Sequence, residues 1–189
     1  DPIETVRIVR VGAAAGAFRP DTESFQEMRQ EVRDRVLAEE EAQRAEDLAF
    51  LEASWPHAEE SGGLWRHVLL REGRGAPVAD GDTIMVQYTG HTVRGLSFAS
   101  TEEGGDPDYV WPGMTGGEVF RYVVGESSVN PGLDEALSEM RRGEERLVIV
   151  PAEAGYDPIG FYGIERSGFP RFVIRPRSIL IYRVEVMAF

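Results

Sequence analysis

Few side chains in this 189-residue sequence can make or break bonds. Cysteine is absent, which removes thiol catalysis, disulfides and Cys-ligated zinc. All 20 basic residues are Arg, so a Lys nucleophile, a Schiff base and a P-loop lysine are excluded. His57, His67 and His91 have no ligand-like spacing, and no G-x-S-x-G elbow occurs. The acids Glu102, Glu103, Asp106 and Asp108 lack the spacing of a Ca²⁺ loop and read as a solvated loop. The residues call for no metal and no other cofactor. What remains is a set of aromatic rings. Tyr and Phe in strands are usually core. Tyr156 stands apart, because Gly155-Tyr156-Asp157-Pro158 is a loop stretch in which a structural role is less automatic.

The elements that must hold such rings fall into two textures. Residues 22 to about 53 read as a long helix, with Ser24 and Glu27 as a capping box and Phe25, Met28, Val32, Val36, Ala45, Leu48 and Leu51 along one face. Before it, Thr5 to Val11 and the small residues Gly12 to Gly16 read as a short strand or arm. Ser61-Gly62-Gly63 is a break, which divides the chain into a 1–60 arm and acidic helix and a 61–189 domain. The second part carries strand-like runs at 64–70, 83–88, 120–124, 146–150 and 179–187. Leu133, Ala136, Leu137 and Met140 give it one short amphipathic helix. Strands round a lone helix predict an α+β domain with an antiparallel sheet.

The formal net charge is −13. That charge repels phosphate backbones and leaves nucleic acid without a binding face. Residues 1–60 supply 15 acids against 7 Arg, which is −8 of the total. No apolar run approaches the length of a membrane span. The chain begins at Asp1 rather than Met, which fits removal of an upstream segment.

The order of motifs from residue 62 onward resembles the FKBP-type peptidyl-prolyl cis/trans isomerases. Gly63-Leu64-Trp65 leads into Val68 to Gly75, like the family's first strand and turn. Val86-Gln87-Tyr88-Thr89-Gly90 is similar to its signature strand, and Gly95 to Thr101 to the turn and strand that follow. Phe120 to Gly125, Val129-Asn130-Pro131-Gly132-Leu133, Met140 to Pro151 and Ile174 to Val186 complete the register. The resemblance implies a twisted antiparallel half-barrel sheet wrapped round one short helix, behind a long N-terminal helix. It implies a proline pocket with Tyr88, Phe98, Tyr156 and Tyr182 as catalytic rings. Phe120, Val129, Leu133, Val173 and Ile174 would bind substrate as wall, floor and flap. The Asn130 N–H and Tyr156 O–H would hold the flanking carbonyls.

Such a pocket is a catalyst without covalent chemistry. An X-Pro amide turns slowly because its C–N bond is partly double, with a barrier of roughly 18–20 kcal/mol. The twisted transition state has lost conjugation and is less polar at the amide, so a dry aromatic cup favours it. Three departures from the family's usual residues bear on activity. Leu133 stands where Trp is common, Ala99 where Asp is common, and Asn130 where an aliphatic residue is common. They imply reduced turnover and weak macrolide binding. They also leave open a second reading, a chaperone or peptide-binding module that grips proline-containing segments. The long 156–176 loop, with Phe161, Tyr162, Phe169 and Phe172, is expected to overhang the pocket and shape substrate choice. The helix stripe offers a surface for a homodimer, and the likeness to helix-bearing members points to an exported protein.

Overall fold

The computed structural model describes residues 12–13, 21–61, 65–102, 119–127, 130–164 and 170–188. The strand or arm expected in residues 1–20 lies outside them but for Gly12 and Ala13, and so does most of the acidic 102–118 insert. Contacts divide the chain into two compact units, Asp1–Glu46 and Asp47–Phe189. That division falls earlier than the 60/61 boundary read from the sequence.

In the first unit the long helix α1 (Thr22–Ser54) begins. Its cap is three residues ahead of the predicted one. The Ser24 N–H donates to Asp21 Oδ1 at 2.8 Å, and the Asp21 N–H donates to Ser24 Oγ at 3.1 Å. Asp21 is therefore the N-cap and Ser24 the third helical residue of the box. In this unit the stripe residues Phe25, Met28, Val32 and Val36 are exposed.

The second unit keeps the last two turns of α1. Leu51 is buried there against Ile149, Ile179 and Ile181. Then follow β1 (Glu59–Ser61), β2 (Trp65–Arg71), β3 (Thr83–Thr92), β4 (Ser97–Ser100) and β5 (Phe120–Val123). The short helix α2 (Pro131–Ser138) precedes β6 (Glu145–Val150), β7 (Phe161–Ile164), β8 (Pro170–Ile174) and β9 (Leu180–Val186). One antiparallel sheet runs β1-β2-β6-β9-β3-β4, with β5 also paired to β3. Ala136 and Leu137 of α2, with Met140 beyond its end, join the core cluster formed with the sheet. The sheet's inner face alternates as strand geometry demands. On β9, Tyr182, Val184 and Val186 are buried while Arg183 is exposed.

The expected 156–176 loop contains a two-stranded ribbon, β7 paired with β8. The apolar residues of this stretch are spaced as a strand pair, which a reading of loop length alone missed.

Candidate functional site

Four strands and one helix cap bring the rings together. Tyr88 lies on β3 directly opposite Val184 of β9, and Gly90 lies opposite Tyr182. On β5, Phe120 pairs with Val86. The ring of Tyr182 stands 5.6 Å from that of Phe98 and 6.3 Å from that of Tyr88. Tyr88 in turn meets Phe120 edge-on at 6.1 Å. These separations suit T-shaped and tilted aromatic contacts. Tyr156 packs against the same cluster and meets the Phe161 ring at 6.2 Å. Its loop is held by the Gly160 N–H donating to the Tyr156 carbonyl and by the Arg177 N–H donating to Asp157 Oδ1.

Phe98 reaches the cluster through a β-bulge. Gly90 faces Ala99, but the next residue, His91, faces Ser97. Phe98 is therefore the extra residue, and both Phe98 and Ala99 are buried although they are neighbours. A bulge of this kind turns a side chain that would otherwise alternate outward. Gly90 then leaves room for the ring to lie across the strand, since a Cβ there would stand 2.5 Å from Phe98 Cε2.

Burial grades across the site. Tyr182 and Phe98 are fully buried, Tyr88, Leu133 and Tyr156 are half-buried, and Phe120 is 38% exposed. Val173 and Ile174, expected as a flap, are buried in the core cluster on β8. Val129 lies outside the described residues. The phenols are all held protonated well past neutrality. Burial pushes Tyr88 up to about 12, with the Tyr156 phenol adding to it. Burial also raises Tyr156, Tyr122 and Tyr182. Two surface hollows, one lined by Arg71, Arg74 and Arg142 and the other by Arg71, Gln87 and Glu102, contain none of these rings.

Asn130 behaves differently from the sequence reading. Its side-chain oxygen caps α2 by accepting from the Leu133 N–H at 3.4 Å, and its Nδ2 donates to Tyr182 Oη at 2.7 Å. The side chain thus does not compete for its own backbone N–H. That N–H instead donates to Ser127 Oγ at 3.3 Å, a long bond that a ligand carbonyl would have to displace.

Two residues escaped the sequence reading. Tyr122 sits two places after Phe120 on β5, and the two rings are 6.2 Å apart. Its hydroxyl donates to Asp134 Oδ1 at 2.8 Å. Asp134, buried in the first turn of α2, also accepts from the Gly125 N–H at 3.0 Å and the Ser127 N–H at 3.4 Å. This carboxylate ties β5 and the turn after it to the helix. Period-two spacing from Phe120 could have flagged Tyr122, whereas nothing local marks Asp134.

An antiparallel half-barrel closing on one short helix, with a graded cluster of rings between them, defines an FKBP-like domain. The FKBP-type peptidyl-prolyl cis-trans isomerase family model matches residues 75–187, and the chain belongs to that family and to its class of enzyme. The outer membrane protein MIP of Legionella longbeachae is 31% identical over 123 residues, 65% of this chain and 43% of that longer protein. An FK506-binding protein of Neisseria meningitidis serogroup B is 30% identical over 118 residues, 62% of this chain and 89% of the relative. Among solved structures, FkpA from Escherichia coli is similar with a TM-score of 0.57 at 22% identity, covering 93% of this chain and 76% of that one. The N-terminal domain of FKBP42 from Arabidopsis thaliana gives 0.54 at 24% identity, covering 70% and 91%. At these identities the structural likeness is one of fold. The chain spans less than half of the Legionella relative.

Proposed function

We propose that this chain accelerates rotation about X-Pro bonds in folding polypeptides, by receiving the proline among Tyr88, Phe98, Phe120, Tyr156 and Tyr182. The observation that supports it most is the meeting of Phe98 and Tyr88 on Tyr182 at 5.6 and 6.3 Å, with half-buried Leu133 and Tyr156 beside them. Rings from distant segments pack on one another, and a proline received among them would leave water. Desolvation and apolar contact there favour the twisted, less polar amide. The protonated Tyr156 hydroxyl is suited to hold a flanking carbonyl. Leu133 and Ala99 argue for modest turnover and weak macrolide affinity.

A protease-coupled assay on an X-Pro peptide, with the full chain, tests this reading. Turnover above the uncatalysed rate that falls at least several-fold in Phe120→Ala supports it. Phe120 is partly exposed, so its loss leaves the core intact. A rate equal to background overturns it.

A second reading, a peptide-holding module, draws support from the ribbon's outer face. There Tyr162 and Phe172 are cross-strand partners, 5.2 Å apart and exposed. Peptide binding without turnover would favour it. The exposed stripe of α1 supports a homodimer, which light scattering on the full chain against a Phe25→Glu/Val32→Glu variant would test. The name of the Legionella relative supports an exported location.

A further inference from the structure

The hydrogen bonds around Asn130 fix where one buried proton goes. The Leu133 N–H can only donate, so the amide atom facing it is the oxygen, Oδ1. The other end, facing Tyr182, is then the NH₂ group, and at 2.7 Å it donates. Tyr182 Oη must therefore accept. Its own O–H proton remains unspent, and no acceptor for it occurs among the described residues. Tyr182 is buried to 2% exposure, and an unmade hydrogen bond at such depth is costly.

Tyr182 itself belongs to the ring cluster. The Tyr182 ring touches Tyr88 and Phe98, and its oxygen lies beside the cap of the helix that carries Leu133. Tyr88, Tyr122, Leu133 and Tyr156, all partly buried, pack against the same cluster. Two groups are candidates to receive the proton from a proline seated there, the carbonyl before the bond and the prolyl nitrogen. The nitrogen is a poor acceptor while conjugated. It becomes a good one as the amide twists and the lone pair localises. A donor aimed at it binds the transition state more strongly than either ground state, which is what raises a rate.

We infer that the Tyr182 hydroxyl, aimed by Asn130, donates a hydrogen bond to the prolyl nitrogen of the substrate as the X-Pro amide twists. Tyr182 is then a catalytic residue through its hydroxyl as well as its ring, and Asn130 is a positioning residue. This inference rests on the isomerase reading above. No bond is made or broken, and the phenol keeps its proton throughout.

The test compares the full-length wild type with Tyr182→Phe and Asn130→Asp on one X-Pro peptide. Tyr182→Phe removes only the oxygen. Asn130→Asp keeps the helix cap and the hydroxyl but offers Tyr182 an acceptor, which turns the proton away from the substrate. Both should lower kcat about tenfold, the worth of one hydrogen bond, with KM little changed. Both should keep the wild-type circular dichroism spectrum and a cooperative thermal transition. A thioxo peptide, whose sulfur accepts poorly, separates the two acceptors. The wild-type-to-Phe ratio should persist on it, because the nitrogen is unchanged. A ratio that collapses to one assigns the bond to the carbonyl and overturns the inference. Wild-type kcat in a folded Asn130→Asp or Tyr182→Phe overturns it while leaving the isomerase reading standing. A wild type without turnover removes both.

Discussion

Replacing Gly90 by alanine should disable the site by moving one ring. An added Cβ would stand 2.5 Å from Phe98 Cε2 and 2.7 Å from Cζ. Carbon atoms normally meet at about 3.5–4.0 Å, so the ring must retreat by about 1 Å. It has nowhere open to go. Phe98 is buried, with Tyr182 at 5.6 Å on one side and the strand pairing of Gly90 to both Ala99 and Tyr182 on the other. Overpacking of this sort costs about 1–3 kcal/mol. The alanine recovers about 0.4–1 kcal/mol by stiffening the unfolded chain. A net loss of about 1–2 kcal/mol in urea unfolding is expected. The fall in kcat/KM on an X-Pro peptide should be larger than that stability loss explains, because the displaced ring is a wall of the proposed pocket. Phe98→Leu provides the cycle. It is smaller, so adding Gly90→Ala to it should cost about 1 kcal/mol less than adding it to wild type. An additive cycle, or a Gly90→Ala protein within 0.5 kcal/mol of wild type with unchanged kcat/KM, would show that Phe98 does not depend on the bare strand beneath it.

Three further outcomes follow from the same geometry. Asp134→Ala should destabilise by about 2–3 kcal/mol in urea, since it strands the Tyr122 hydroxyl and two backbone N–H groups, and Tyr122→Phe should cost about 1 kcal/mol because the backbone donors keep their acceptor. With Tyr88 raised to about 12 by burial, and Tyr156 and Tyr182 raised for the same first cause, the folded chain holds phenol protons that the unfolded chain releases near pH ~10. The resulting stability is complete below about pH 10 and is lost as pH rises toward 12, so turnover should be flat from pH 6 to 9 and fall in alkali with the unfolding midpoint. Burial, then the Arg146 guanidinium, lowers His67, against the opposing pull of Glu59, Glu139 and Glu144. That contribution is present above about pH 6.5 and is lost as pH falls through the depressed value, so His67→Gln should flatten the acid side of the stability curve.

The elements of the second unit were readable because burial on one face imposes a period. Thr83–Thr92 and Leu180–Val186 alternate, and Leu133, Ala136 and Leu137 repeat at helical spacing, so the α+β class followed from sequence. The ends of elements depend on cap geometry rather than on periodicity. The cap of α1 moved from Ser24 to Asp21 because both residues can fill an N-cap, and only the backbone geometry chooses between them. The ribbon Phe161–Ile164 and Pro170–Ile174 lies within a stretch that reads as loop, because Gly and Pro punctuate it.

Composition by itself excluded thiol and lysine chemistry, since the sequence holds neither Cys nor Lys. Motif order determined its family. The tertiary structure alone decided how those groups act on one another. Phe98 faces inward because a bulge against Gly90 and His91 turns it, and no residue pattern records an extra position in one strand of a pair. Asn130 and Tyr182 are 52 positions apart, yet they share a buried 2.7 Å bond that directs a proton. Such couplings arise from long-range register, which depends on all the strands pairing together, whereas sequence periodicity reports only which side of its own element each residue faces.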